Sequence, residues 1–120
     1  MDLFDLTQVA LERAMSGASL RQRVLTNNLA NANTPGFKRM DVDFHATLAR
    51  ELGDGSTRRS VEGTGFTVAR DSSTSERVDG NNTDVDGEMA ALAENSLDYQ
   101  AMVTIARSRI RILESAINGR

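Results

Sequence analysis

Asn27-Asn28-Leu29-Ala30-Asn31-Ala32-Asn33-Thr34-Pro35-Gly36-Phe37-Lys38-Arg39 is the stretch on which the reading of the fold turns. It holds the only proline of the chain and four of its asparagines, and a helical pattern runs into it from the N-terminal side. Proline disfavours helical geometry at the residue before it, so that pattern must stop by Thr34, and Pro-Gly suits the two central positions of a type II turn. Asparagine side chains bond to backbone groups that a helix end leaves free, or tolerate left-handed geometry. The stretch therefore predicts a helix stop followed by a fixed change of direction.

Upstream of it, Phe4, Gln8, Leu11, Met15, Ala18, Gln22, Leu25, Leu29 and Ala32 alternate steps of four and three, the period of a coiled-coil seam. Two positions are glutamine and two are alanine, so the seam buries little apolar area alone. An interior glycine in Ser16-Gly17-Ala18-Ser19 costs about 1 kcal/mol against alanine, while small residues there allow close approach of a neighbour. The first helix is thus expected to need partners. Downstream, Met40, Val42 and Phe44 alternate and predict a short strand or extended arm, with a helical turn or two over residues 46–52. His45, the only histidine, has no second histidine or cysteine with which to share a metal and reads as structural.

Residues 53–82 change character. Fourteen of these thirty residues are Gly, Ser or Thr and only five are apolar, too few to offset the entropy of ordering them. The segment reads as a flexible polar loop, with Arg58, Arg59, Arg70 and Arg77 interleaved with acids as on a solvated surface. Gly63-Thr64-Gly65 lacks the lysine of a phosphate loop. The acidic run from Asp79 fails as an EF-hand, because its sixth and twelfth positions are Asp84 and Ala90. A helix start fits better: Thr83 as cap with Asp86 three residues on, and Asp84, Asp86 and Glu88 where the helix dipole favours negative charge.

From there Val85, Met89, Leu92, Ser96, Tyr99, Val103, Ala106, Ile110, Leu113 and Ile117 keep the four–three alternation without a slip, until Asn118-Gly119 ends it. Such a helix is about 50 Å long at 1.5 Å per residue. The polar loop cannot cover its seam, so the seam must pack on the first helix, on copies of itself, or on both.

Composition agrees with helix seams and with little else. Only 39% of the 120 residues are hydrophobic, five are aromatic and none is tryptophan, which argues against a bulky core. A net charge of −3 argues against a nucleic-acid binder, and the absence of cysteine excludes disulfides and thiolate metal sites. One histidine and no cysteine leave no constellation for nucleophilic or metal chemistry, so no catalytic, metal or cofactor-binding residue is assigned. A regulatory coiled-coil module would account for both helices but not for the Thr-Pro-Gly-Phe turn. The first residues lack the basic region and apolar run of a general secretory signal, and no stretch is long enough to span a membrane, which alone would suggest the cytoplasm.

Asn28-Leu29-Ala30-Asn31, then Thr34-Pro35-Gly36-Phe37 with Lys38-Arg39, resembles the signature of the bacterial flagellar rod and hook axial proteins: Asn, an aliphatic residue, Ala-Asn, a short step, and Thr-Pro-Gly-aromatic. Leu29 stands where isoleucine is commoner. The second half, from Asp79-Gly80-Asn81-Asn82-Thr83 through Glu88-Met89-Ala90-Ala91-Leu92 to Tyr99-Gln100-Ala101, is similar to the proximal-rod members of that family. The resemblance covers roughly residues 1–44 and 79–117.

It implies a mainly α fold, with long N- and C-terminal heptad helices packing as a coiled-coil-like bundle. A largely flexible middle loop with at most a short β segment would join them. The implied divisions are an N-terminal axial helix (1–34), a turn and extended arm (35–52), a flexible polar loop (53–82) and a C-terminal axial helix (83–120). The implied function is that of a structural subunit of the basal-body proximal rod, which forms a tubular drive shaft around the export channel and is needed for motility. The implied assembly surfaces are an N-terminal seam (Phe4, Leu11, Met15, Ala18, Leu25, Leu29) and a C-terminal seam (Met89, Leu92, Tyr99, Val103, Ala106, Ile110, Leu113, Ile117). Asn28, Asn31, Thr34, Pro35, Gly36 and Phe37 would form the family turn. The implied partners are other rod proteins, the proteins joining rod to membrane ring, and the export apparatus. The protein would be no enzyme, hold no cofactor, bind no nucleic acid, and leave the cytoplasm without a cleaved signal peptide.

Overall fold

The computed structural model describes residues 5–53 and 55–119; Phe4, the first position of the N-terminal seam, lies outside them. Two long helices, α1 (Leu6–Ala30) and the 33-residue α4 (Val85–Ile117), run antiparallel. The direction is fixed by three contacts along the pair: Asp5 to Arg109, Ala18 and Gln22 to Asn95, and Asn28 to Glu88. Between them in sequence come β1 (Met40–Asp41), α2 (Phe44–Glu51), α3 (Arg58–Glu62) and β2 (Ala69–Arg70). The two strands pair antiparallel, Met40 opposite Arg70 and Asp41 opposite Ala69. The molecule is long and thin, 64 × 30 × 15 Å.

Asp5 starts α1 by accepting from the backbone N–H of Gln8, a side-chain cap that satisfies one of the helix's free donors. The helix ends where the asparagine-rich stretch begins, with Asn31 as its last cap. The predicted turn follows: Phe37 N–H donates to Thr34 O at 3.2 Å and Gly36 has φ +73°, the left-handed position of a type II turn that glycine occupies at no steric cost.

The apolar core lies between α1 and the arm rather than along the α1–α4 seam. Val9 and Ala18 of α1 meet Val42, Phe44, Leu48 and Val61, with Met102 reaching in from α4. Gly17 is what allows this: a Cβ there would lie 2.6 Å from Phe44 Cβ, so only glycine lets the arm approach so closely. The small residues of α1 thus serve contact with α2, and the partners that α1 needs are largely in its own chain.

Three local expectations are revised. The strand ends at Asp41, and Phe44 instead opens α2, because the Asp43 carboxylate caps that helix through Ala46 N–H. Within residues 53–82, Val61 is fully buried on a short helix whose Thr57–Ser60 capping box closes its first turn, and Phe66 packs edge-on to Phe44. Two apolar residues, with Arg13 of α1 reaching Thr64 O and the Phe66 ring, thus fasten a polar segment onto α1. Thr83 is not the cap of α4. The Asn81 side chain accepts from Thr83 N–H at 2.7 Å and bends the backbone first, so the helix starts one residue later, with Asp84 as N-cap.

Candidate assembly surfaces and the junction that positions them

The motif turn is locked against the segment leading into α4. Asn28, fully buried, imitates a strand: its Nδ2 donates to Met40 O at 2.7 Å and its Oδ1 accepts from Met40 N–H at 3.0 Å. Asn81 Nδ2 lies within 3.1 Å of the carbonyls of Asn31, Ala32 and Thr34, so a single amide collects the acceptors freed at the end of α1. Asn82 accepts from Arg39 N–H at 2.7 Å and donates to Asp71 O at 2.7 Å. Asn31 bonds back to Asn27 and accepts from the Thr34 hydroxyl, while Thr34, Pro35 and Gly36 are exposed and Phe37 is half-buried.

At the centre of this junction Arg39 and Glu88, both buried, form an ion pair that Asn28 Nδ2 joins at 3.3 Å. The guanidinium also engages Asp71, with Asp41 at 3.6 Å. Burial works against its charge, but these carboxylates outweigh burial and raise its pKa. Asp41 shows the mirror case: burial would raise its pKa, yet the hydrogen bond from Arg21 and the nearby cations hold it below the ordinary value. Asp71 is lowered chiefly by hydrogen bonds from Ser73, with Arg39 adding to them. Arg77, expected on a solvated loop, reaches the carbonyls of Ala32 and Thr83 and helps clasp the turn.

The two predicted seams fare differently. Of the N-terminal seam, Ala18 and Leu25 are buried and Leu11, Met15 and Leu29 half-buried. Of the C-terminal seam, Met89, Tyr99, Ile110 and Ile117 are exposed, Ile117 to 74%, while Leu92, Val103, Ala106 and Leu113 are half-covered. What α4 turns toward α1 is a neighbouring stripe, Glu88, Asn95 and Met102, also at heptad spacing. Asn95 donates to Ala18 O at 2.8 Å and to Gln22 Oε1 at 2.9 Å. Glu88 and Asn95 stand outside the apolar seam that the sequence defines, since neither is apolar; the seven-residue interval is the signal that places them on one face with Met102. His45 is exposed and pairs with Asp98 at 3.0 Å. Among the described residues no cluster of His, Cys, Asp or Glu could hold a metal, and no helix is long and apolar enough to cross a membrane.

A mainly helical chain, with the Asn…Thr-Pro-Gly-Phe turn built into its junction, defines the class of flagellar rod proteins. A family model described as flagella basal body rod protein matches residues 10–38, which span most of α1 and the turn. The similarity extends much further among individual relatives. The flagellar basal body rod protein FlgB of Bacillus subtilis (strain 168) is 35% identical over 99% of this chain and 98% of its own length. Those of Cereibacter sphaeroides (strain ATCC 17029 / ATH 2.4.9) and Proteus mirabilis (strain HI4320) are 37% and 32% identical, covering 82% and 88% of this chain and 84% and 89% of their own. The chain belongs to the FlgB family of flagellar basal-body rod proteins, a family of structural rod subunits and not of enzymes. Its place is the flagellar basal body, among other rod components.

Proposed function

We propose that this subunit builds the proximal part of the rod through its terminal helices, as one element of a tube that transmits torque and encloses the export channel. The observation that carries the proposal is the C-terminal seam: α4 meets α1 through Glu88, Asn95 and Met102 and leaves Met89, Tyr99, Ile110 and Ile117 uncovered. A subunit stable by itself would bury its most regular apolar stripe, whereas an assembling one keeps that stripe for neighbours. The half-buried Leu11, Met15 and Leu29 would complete the contact from α1. On this reading the junction around Asn28 sets the angle at which the helices are presented, and the divisions at residues 34, 52 and 82 separate axial helices from arm and loop. Partners would be neighbouring rod proteins, the proteins at the membrane-ring junction, and the export apparatus, which would carry the chain out without a cleaved signal.

The test is a selective defect. Truncating Leu113 to alanine should cost about 2–5 kcal/mol where the residue is packed against a neighbour. The free chain, where it is only half-covered, should lose much less. Leu113→Ala is therefore expected to be made and exported but poorly recovered in isolated basal bodies, with loss of swimming. Arg50→Gln, at the exposed end of α2, should behave like wild type. Normal recovery of Leu113→Ala would mean that this seam faces no partner.

A further inference from the structure

The chain holds eight asparagines, and one of them, Asn118, is followed by glycine. A backbone nitrogen attacks the side-chain carbonyl of the asparagine before it when the two are free to meet. Glycine favours that meeting, because it lacks a side chain to shield its nitrogen and leaves the backbone free to rotate. The fold decides which asparagines are open to the reaction.

Most are closed to it. Asn28, Asn81, Asn82 and Asn95 are buried, and their side-chain amides donate to carbonyl oxygens. Asn27 lies within α1, where it accepts from Asn31. Asn33 is exposed, but the nitrogen that would attack it belongs to β-branched Thr34 and already donates to Asn31 O at 3.0 Å.

Asn118 differs on each count. It stands just past the last residue of α4, it is exposed, and its side-chain amide has no hydrogen-bond partner among the described residues. Gly119 has φ +66° and open space around it. Its N–H reaches Ala116 O only at 3.4 Å, longer than the usual range of about 2.7–3.2 Å. Asn118 has ψ −2°, and rotating it to bring the Gly119 nitrogen toward Cγ breaks only that long bond.

We propose that Asn118 is a site of spontaneous deamidation in the folded chain. The Gly119 nitrogen bonds to Asn118 Cγ, the Cγ–Nδ2 bond breaks, and ammonia leaves with the proton of the backbone amide. Water then opens the resulting succinimide at one carbonyl to give aspartate or at the other to give isoaspartate. Either product puts a carboxylate at the C-terminal end of α4, where the helix dipole disfavours negative charge. It also stands four residues from Glu114, a like-charge spacing that destabilises a helix. The last turn of α4 should therefore loosen as the chain ages. This inference is independent of the assembly reading above.

The test follows the purified full-length chain at mildly alkaline pH over days, with trypsin digestion at intervals. The sequence predicts a peptide of residues 112–120 that carries Asn118 and one of residues 24–38 that carries Asn27, Asn28, Asn31 and Asn33. Residues 112–120 should gain the mass of O in place of NH, and isoaspartate, at least several-fold faster than residues 24–38. Comparable rates in the two peptides, or an unchanged Asn118, would overturn the proposal. Unfolding the chain in urea should speed reaction within residues 24–38 while altering Asn118 little. A large acceleration at Asn118 would mean that the folded helix end protects it, which also overturns the proposal. Gly119→Val should slow the reaction many-fold without disturbing the fold, since the site is exposed; an unchanged rate in that variant would rule out attack by this nitrogen. Finally, Asn118→Asp should raise amide exchange of residues 114–117 in fresh protein to the level of the aged chain.

Discussion

The two ends of the α1–α4 pair are built on opposite principles. At the junction, Asn28, Arg39, Asn81, Asn82 and Glu88 are all buried, and their side chains are matched to backbone groups or to one another. At the other end, Ile110, Ile112 and Ile117 are exposed beyond Arg109, whose partner Asp5 is the N-cap of α1. Among the described residues the polar end is matched within its own chain, and the apolar end is left uncovered. Burying a polar network yields little net stability over an apolar one, but it penalises heavily any arrangement that leaves a member unpaired. The junction therefore fixes one geometry for the turn, and on the proposed function the far end would supply surface for neighbours.

Breaking the junction should produce the largest effect on the free subunit. Arg39→Met leaves Glu88 buried without its counter-charge and is expected to cost about 3–5 kcal/mol. Denaturant melting of the variant measures it directly. Adding Glu88→Leu to Arg39→Met should recover part of the loss, because the stranded charge is gone; no recovery would mean that Arg39 acts mainly through Asp71 and the turn.

Gly17→Ala comes next. The added methyl collides with the Cβ and ring of Phe44, whose position is set by the Asp43 cap, so the neighbour has little room to yield. A loss of about 1–3 kcal/mol is expected, typical of overpacking. A neutral or stabilised variant would show that the arm moves away from α1 freely and that the core of the subunit is looser than its packing indicates.

A smaller effect probes the junction by pH. Asp41 and Asp71 of the junction have folded pKa values below their ordinary one of 3.8. Groups of this kind contribute stability that is fully present above the unfolded pKa and is lost as pH falls through the folded value. Stability should thus be flat down to about pH 5 and then decline, and Asp71→Asn should flatten part of that decline. An unchanged profile in the variant would remove Asp71 from the network.

The difference between the ends also explains what the sequence made legible. Pro35-Gly36 and the run of asparagines announced the helix stop and the turn, because those residues act through their own backbone. The two long helices followed from apolar periodicity; after the turn, the short strand was legible at Met40 and a helix over residues 46–52, while Phe44 fell in the helix rather than the strand. The junction was only half legible. The family motif marked Asn28 and Asn31, but not that Asn28 would reach Glu88 and that Asn81 would collect the Asn31 carbonyl from fifty residues away, and Glu88, Asn82 or Arg77 looks in sequence like any solvated residue. Thr83 was misread for the same reason: the Asn81 side chain, not the capping pattern, sets the backbone there. Val61 is one of five apolar residues in a polar stretch of thirty, and the proximity of α1 gives it a core to enter.

Hydrogen exchange along α4, compared between the dilute free chain and isolated basal bodies, tests the central claim most directly. In the free chain, amides of residues 88–102, held by Arg39, by Gln22 with the backbone of Ala18, and by the core, should be well protected, and those of residues 110–117 should exchange close to the unprotected rate. In basal bodies both stretches should be protected. Equal protection of the two stretches in the free chain, with no oligomer present, would contradict the account, because the exposed end of α4 would then be complete without a neighbour.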